Sequence, residues 1–317
     1  MFEASKAMFI YCTSPVHAGA GQAFGLIDNP IQRERHTQHP VIAGSGVKGA
    51  LRHHLYQKWG PSDEDQSDNK ELTRELLNRI FGPDGKNGER TSDYAGAISF
   101  SDAQLVAFPV RSVKNGFVYA TSPLCLQRAK RLLQMCGESV HWDIPEVQDE
   151  HASLINPTLL SDNSLLLESQ QFTAKLDGNG EGMKAAAESL ATFALPDGKA
   201  YDYFREKLKT DLVLLSDTDF SYFVQQSTVV EAHVCIDDAT GTAKDGSLHY
   251  TENLPPESIL LSAVMATVER KKDSVLQAAA VLGHVVAALD GQLAQLGGDA
   301  TTGRGQVTLS FTGGSHG

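Results

Sequence analysis

The 317-residue sequence lacks the features that mark several large classes of protein. It contains no run of about 18 apolar residues, so no ordinary membrane-spanning helix is expected. Its four cysteines show no CxxC spacing, which argues against a disulfide framework or a zinc cluster. The N-terminal residues lack the basic start and cleavage site of a secretory signal. These absences predict a cytoplasmic protein with reduced thiols and no membrane partner.

Familiar catalytic signatures are missing as well. The sequence contains no GxxxxGK[ST] loop, no HExxH helix and no evident Ser/His/Asp arrangement. The glycines between Gly19 and Gly25 miss the spacing of the dinucleotide-binding fingerprint and open no obvious helix. The pattern therefore argues against a P-loop NTPase and a Rossmann-type dehydrogenase.

Positive charge is scarce overall but unevenly distributed. The net charge of −12 argues against indiscriminate nucleic-acid binding. Residues 29–60, however, carry five Lys or Arg and one Glu, whereas residues 211–260 carry nine Asp or Glu and one Lys. This segregation is compatible with a locally basic groove on an acidic body.

The hydrophobic pattern predicts a single α+β domain over residues 1–317, with a ferredoxin-like (RRM-type) core. We expect insertions near 61–95 and 138–210 and a strand–loop–strand hairpin near 233–252, with strands at 233–237 and 247–252. A helix opening at Ser45 or Gly46 should carry Val47, Leu51 and Leu55 as its apolar spine. The other predicted elements are strands at 7–12, 97–100, 258–268 and 306–311 and helices at 71–81 and from about 273 to about 296.

Asp28 is a lone carboxylate in a loop that ends at Pro30. Such a carboxylate can hold a divalent metal against a phosphate or act as a general base, but it can equally form a turn before the proline. His17 precedes it in a loop of small residues, where a histidine is either a hydrogen-bonding fixture or a catalyst. Both alternatives stay open on the residues alone.

Lys48 and Arg52 are four residues apart and share one face of the predicted helix. Together with Ser45 and the neighbouring glycines at the helix start they form a candidate anion site. The competing interpretation is a solvated cationic face.

The loop from Gly297 to Gly305 combines glycines and hydroxyls with a single arginine, Arg304. Small residues permit close backbone approach, hydroxyls can donate to phosphate, and a guanidinium can hold phosphate in a fork. A helix cap with a tight turn explains only the first two glycines. Tyr250 and Glu252 share one strand face, which is either functional or an ordinary exposed face.

These segments, in this order, resemble the RAMP superfamily of CRISPR-associated proteins, and among them the repeated backbone subunit of type III-B (Cmr) complexes. The resemblance covers essentially the whole chain. The residues that carry it are 17–21, 25–37, 40–52, 248–256 and 297–305.

The resemblance implies an RRM-like core whose copies stack side by side along a CRISPR RNA. A protruding thumb hairpin is implied to interrupt guide–target pairing at regular intervals. The position of Asp28 is implied to be needed for divalent-metal-dependent (Mg²⁺ or Mn²⁺) cutting of target RNA, with His17, Tyr250 and Glu252 implicated less strongly. Implied partners are CRISPR RNA, single-stranded target RNA, further copies of the chain and other Cmr subunits. The expected RNA-binding residues are Arg33, Arg35, His36, Ser45, Lys48, Arg52, Gly298, Thr301, Thr302, Gly303 and Arg304.

Three functions are therefore open at this point. The chain is an RNA-guided endoribonuclease subunit with Asp28 at the cut, or a non-catalytic subunit that holds guide RNA while another component cuts. A CRISPR-RNA processing enzyme is the third.

Overall fold

In the computed structural model, residues 2–23, 25–59, 67–85, 90–91, 93–177, 181–272 and 276–313 are described, with backbone alone for 67–72 and 181. These residues form β1 (Ala4–Cys12), β2 (Val41–Ile42), β3 (Ile98–Phe100), β4 (Ala103–Arg111), β5 (Phe117–Thr121), β6 (His151–Leu154), β7 (Leu160–Ser161), β8 (Ser164–Leu167), β9 (Gln170–Leu176), β10 (Leu212–Leu215), β11 (Val229–His233), β12 (His249–Asn253), β13 (Ile259–Ala266), β14 (Leu293–Gln295) and β15 (Gln306–Thr312). The helices are α1 (Gly44–Trp59), α2 (Ser67–Phe81), α3 (Pro123–Met135), α4 (Glu181–Ala194), α5 (Asp202–Thr210), α6 (Asp217–Gln226) and α7 (Ala278–Leu289), with short 3₁₀ turns at Pro157–Leu159 and Ala300–Thr302.

One large mixed sheet organises the fold. Its strand order is β14-β15-β1-β13-β4-β5-β10-β6-β9-β8-β7, with β2 paired to β4 and β3 paired to β13. Most neighbours are antiparallel, but β5 with β10 and β6 with β9 are parallel. A separate two-stranded sheet, β11 with β12, forms a hairpin.

The sheet is covered on both faces, as the alternation along β1 shows. Met8 and Ile10 face one hydrophobic core, which contains Val47, Leu51 and Leu55 of α1. Phe9 and Tyr11 face a second core, built with α3 and α4. The predicted apolar spine of α1 is thus confirmed, because spacing at 3.6 residues reports which side of a helix is buried. Among the described residues, no helix is long and apolar enough to cross a bilayer.

Two predicted elements differ from the structure. The helix expected to reach Leu296 ends at Leu289, because Gly291 adopts a left-handed φ of 68° and the chain turns back into β14. The hairpin pairs Val229–His233 with His249–Asn253, so its first strand begins four residues before the expected 233–237 and its second strand begins two residues after the start of the expected 247–252. Within the predicted insertion near 61–95, residues 61–66, 86–89 and 92 lie outside the described part of the chain.

Glu257 joins the hairpin to β13 and titrates in an unusual environment. Its backbone is left-handed, with φ 69°, and its N–H donates to the carbonyl of Cys12. Burial raises the pKa of its carboxyl from 4.5 to about 7. The contribution of the neutral acid to stability is therefore fully present below pH 4.5 and is lost as the pH rises through 7.

Glu257→Gln is expected to remove this pH dependence, because the amide keeps the shape of the acid without ionising. Its free energy of unfolding should exceed that of the parent chain, and the advantage should widen by about 2 kcal/mol between pH 5 and pH 8. Urea unfolding across that range measures it. Glu168→Gln is the control, since Glu168 has the same left-handed backbone but is exposed. An advantage that stays constant with pH would contradict the assignment.

Candidate functional site

Four segments that are distant in sequence meet at the base of the hairpin. Asn29 pairs with β12 in a parallel bridge. Its N–H donates to the backbone carbonyl of Tyr250, and its own carbonyl accepts from the N–H of Glu252. Val16 pairs with Leu254 at the end of the same strand. The N–H groups of Gly298 and Gly305 donate to the carbonyls of His17 and Pro15. The loops holding His17 and Asp28, the hairpin and the C-terminal glycine loop thus form one hydrogen-bonded unit.

Asp28 is exposed and anchored through one oxygen. Its Oδ2 accepts the backbone N–H of Tyr250 at 2.8 Å. Within the described residues, no protein hydrogen bond to Oδ1 is found. The carboxylate is therefore fixed in direction while one oxygen stays available to a ligand.

His17 is held in one tautomer. Its Nδ1 lies 2.7 Å from the carbonyl oxygen of Glu252. A carbonyl only accepts, so Nδ1 carries a proton, and the neutral tautomer compatible with this bond has its lone pair on Nε2. Gly19 keeps that side of the ring clear, because a Cβ there would lie 2.9 Å from Nε2.

His17 and Asp28 line the same surface cavity of about 290 Å³. Among the described residues, no group of three or more His, Cys, Asp or Glu could enclose a metal. Mg²⁺ often takes only one or two carboxylates and completes its shell with water and substrate phosphate. The free Oδ1 of Asp28 suits that kind of site, whereas a metal held wholly by protein does not fit.

Tyr250 and Glu252 have different environments although they share a strand face. Tyr250 is exposed and lies directly across from Ala232. Glu252 is 3% exposed, and its carboxylate accepts from Arg33 Nη2 at 2.6 Å, Thr228 Oγ1 at 2.8 Å and the N–H of Ile31 at 3.0 Å. Both oxygens of Glu252 are thus engaged inside the protein.

The expected RNA-binding residues Arg33, Arg35 and His36 are also differently placed. Arg33 is directed inward and also donates to the carbonyls of Gln38 and Val224. Arg35 and His36 are exposed. His36 Nε2 accepts from Arg128 Nη2 at 2.9 Å, and Arg128 also binds Glu34. Burial alone would raise the pKa of Glu34, but hydrogen bonds from Thr37 and Arg128 hold it below its ordinary value.

The two cations of α1 that the sequence singles out, Lys48 and Arg52, are partly buried, and each donates to groups of the chain itself. Lys48 Nζ donates to the carbonyl of Ile98 at 2.9 Å, and burial lowers its pKa with help from Arg52 and Arg270. Arg52 donates to the carbonyl of Gly82 and to Asn78 Oδ1, both at 2.6 Å.

The start of α1 already holds an anion of the chain itself. The N–H of Gly44 donates to Asp102 Oδ1 at 2.8 Å, whereas Ser45 is exposed. The predicted anion site is therefore partly filled by Asp102.

The glycine loop contacts the hairpin through its arginine. The fork of Arg304 holds the carboxylate of Glu231, at 2.6 Å and 2.7 Å from Nη2 and 3.1 Å from Nε. Thr302 donates its hydroxyl to the carbonyl of Asp299. The remaining predicted positions of the loop, Gly298, Thr301 and Gly303, are exposed.

Gly297 explains why the loop begins with glycines. A Cβ at this position would lie 2.2 Å from the carbonyl oxygen of His17, and its φ is 81°. The first glycine is thus required by close packing on His17 and not by a helix cap.

Sequence reasoning missed Glu231, Thr228 and Asp102. Each is a single polar residue, and the partners of its side chain there lie at least 22 residues away along the chain. No local spacing signals such partners.

A family model of the RAMP superfamily matches residues 9–308. The chain belongs to the RAMP superfamily. Within this superfamily it is 33% identical over 313 residues to the CRISPR system Cmr endoribonuclease Cmr4 of Pyrococcus furiosus, covering 97% of each protein. It also resembles the crystal structure of oligomeric Cmr4 from P. furiosus, with 27% identity, a TM-score of 0.69 and 98% of each chain covered.

A chain in the cryo-EM structure of the type III-B Cmr-beta bound to cognate target RNA has a similar fold. It is 18% identical, with a TM-score of 0.67 and 98% of each chain covered. The prediction of a mixed α and β fold is confirmed to this extent: the large mixed sheet matches these structures.

Proposed function

We propose that this RAMP protein is the RNA-cleaving backbone subunit of a type III-B (Cmr) CRISPR effector complex. It would bind CRISPR RNA along a filament of its own copies, beside other Cmr subunits, and cut complementary single-stranded RNA at regular intervals. The observation that carries the proposal is Asp28, whose oriented carboxylate faces solvent beside His17 in a chain that matches a Cmr endoribonuclease over 97% of each sequence.

The strand order supports an RRM-type core within the large sheet. The central strands run β15-β1-β13 and then β3 or β4, with α1 and α7 in the connections. This is the order of a ferredoxin-like unit, in which the first strand lies between the last and the third. The β11–β12 hairpin stands apart from the sheet with Tyr250 exposed, as a thumb would.

The proposed chemistry uses the nucleophile that RNA carries. When target RNA is splayed beside the cavity, a 2′-OH can attack the adjacent phosphorus in line and expel the 5′-oxygen. Nε2 of His17, with its lone pair, accepts or returns a proton at that centre. Asp28 and the hairpin supply position and charge.

A divalent metal would be held by Asp28. When bound, it would stabilise the negative charge that develops on the phosphate. Metal removal by a chelator is part of the test below.

Reconstituting the complex with guide RNA and a complementary target tests the function. The expected result is regularly spaced cuts that disappear with Asp28→Asn or with chelator, while target binding persists. Unchanged cutting by the variant would show that the chain only holds guide RNA. Cleavage of precursor RNA by the isolated chain would instead indicate a processing enzyme.

Guide RNA is proposed to lie along exposed Arg35, His36, Ser45 and the glycine loop, with Lys48 adding positive charge. Lys48→Ala is expected to weaken guide binding independently of sequence and to reduce the slope of log affinity against log salt by about one. A salt series of guide affinities measures this.

Lys130→Ala is the matched control for Lys48, since Lys130 Nζ likewise donates to a backbone carbonyl, that of Trp142, at 2.9 Å. If both variants lose only stability and bind guide alike, Lys48 has no role in RNA binding.

A further inference from the structure

The pair formed by Arg304 and Glu231 links the glycine loop to the hairpin. Arg304 precedes the tight approach of Gly305 to Pro15, and Glu231 lies in the middle of β11. Side chains of Arg304 and Glu231 are 25% and 29% exposed, and the contact is bidentate. Asn253 Nδ2 on the neighbouring strand adds a hydrogen bond to Glu231 Oε2 at 3.3 Å. A planar fork on a carboxylate restricts geometry more than a single surface ion pair does.

His17 lies between the two elements that this pair joins. Its carbonyl accepts the N–H of Gly298, in the glycine loop, at 2.9 Å. Its ring Nδ1 donates to the carbonyl of Glu252, in the hairpin, at 2.7 Å. Any separation of loop and hairpin must therefore stretch one of the two bonds that orient the imidazole.

We propose that Glu231 is a positioning residue, which holds the hairpin against the glycine loop through Arg304 and thereby fixes His17 beside Asp28. The inference rests on the proposed function and extends it to a residue with no catalytic contact of its own. The sequence predicted that Arg304 binds phosphate. In the proposal Arg304 instead binds the carboxylate of Glu231 and so helps to hold the hairpin in place.

Exchanging the charges of Glu231 and Arg304 distinguishes a positioning role of this pair from phosphate binding by Arg304. Glu231→Gln should slow single-turnover cleavage by the guide-loaded complex about tenfold at saturating target, because reacting groups lose alignment. The double variant Glu231→Arg with Arg304→Glu should restore the rate to within about threefold of the parent, since the pair re-forms with reversed polarity. Guide affinity is measured separately, because the exchange moves a cation out of the loop.

A second measurement follows the exchange of the Nδ1 proton of His17 in the protein without RNA. In ¹⁵N-histidine-labelled protein, assigned with His17→Gln, the Nδ1 proton should exchange with water at least about fivefold faster in Glu231→Gln and return to the parent rate in the exchanged pair. Asp202→Asn is the control, since it removes the ion pair of Asp202 with Arg205 on α5. It should change neither measurement.

Three outcomes would overturn the proposal. The first is a Glu231→Gln variant with parental cleavage and parental exchange of the His17 proton. The second is an exchanged pair that folds and recovers the His17 signal but does not recover cleavage. The third is a control that matches Glu231→Gln. If the parental complex cuts no RNA, the proposed function fails, and the His17 signal alone then decides whether Glu231 positions it.

Discussion

Asp28→Asn is expected to lower the rate of target-RNA cleavage by at least about 100-fold while leaving RNA binding and folding intact. Asparagine keeps an acceptor for the N–H of Tyr250, so the loop should hold its place on the hairpin. What the substitution removes is the negative charge on the oxygen that faces the cavity. Gel-resolved single-turnover cleavage by the reconstituted complex measures the loss.

Asp219→Asn is the matched control for Asp28. Asp219 Oδ2 accepts the backbone N–H of Glu150 at 2.9 Å, so the two carboxylates make the same kind of contact in different places. The cleavage rate of Asp219→Asn should equal that of the parent complex. If Asp28→Asn cuts at the parental rate, the charge of Asp28 is not needed and the chain serves to hold guide RNA.

The sequence predicted the parts of the fold that depend on local periodicity. Val47, Leu51 and Leu55 lie in the core as expected, because one helix face meets the sheet over several turns. The same reasoning failed beyond Leu289. Leu293 and Leu296 continue a helical spacing by coincidence, but the extended backbone of Asp290 and the left-handed turn at Gly291 separate them from α7.

The sequence indicated which residues lie at the candidate site better than it indicated which partners they contact. The resemblance pointed to His17, Asp28 and Tyr250, and the structure brings them to the base of one hairpin. Periodicity carries no information about partners such as His17 and Glu252, which are 235 residues apart. The hydrogen bond of Lys48 to the carbonyl of Ile98 and the ion pair of Arg304 with Glu231 likewise join residues that only the folded topology brings together.

Glu252→Gln is expected to destabilise the chain by about 3 kcal/mol and to slow cleavage. The carboxylate receives donors at both oxygens, from Arg33 and Thr228 at Oε1 and from Ile31 at Oε2. An amide offers one acceptor and one donor, so at least one of these N–H groups would face another N–H. Arg33, with 17% of its side chain exposed, would also lose its anionic partner. Urea unfolding and single-turnover cleavage measure the two effects.

Asp211→Asn is the control for Glu252→Gln. It also breaks a buried ion pair, but it should leave the alignment of Asp28 and His17 unchanged. Asp211 and Lys207 form an ion pair of 2.7 Å with side chains 4% and 5% exposed, beside β10 and away from the hairpin. Both variants should lose similar stability, but at a temperature where each is folded only Glu252→Gln should cut slowly. The difference arises because Glu252 also fixes its neighbours: its carboxylate holds the loop after Asp28 through Ile31, and its carbonyl sets the tautomer of His17. Equal stability loss with equal, parental cleavage would reduce Glu252 to a structural residue and leave Asp28 and His17 positioned by backbone pairing alone.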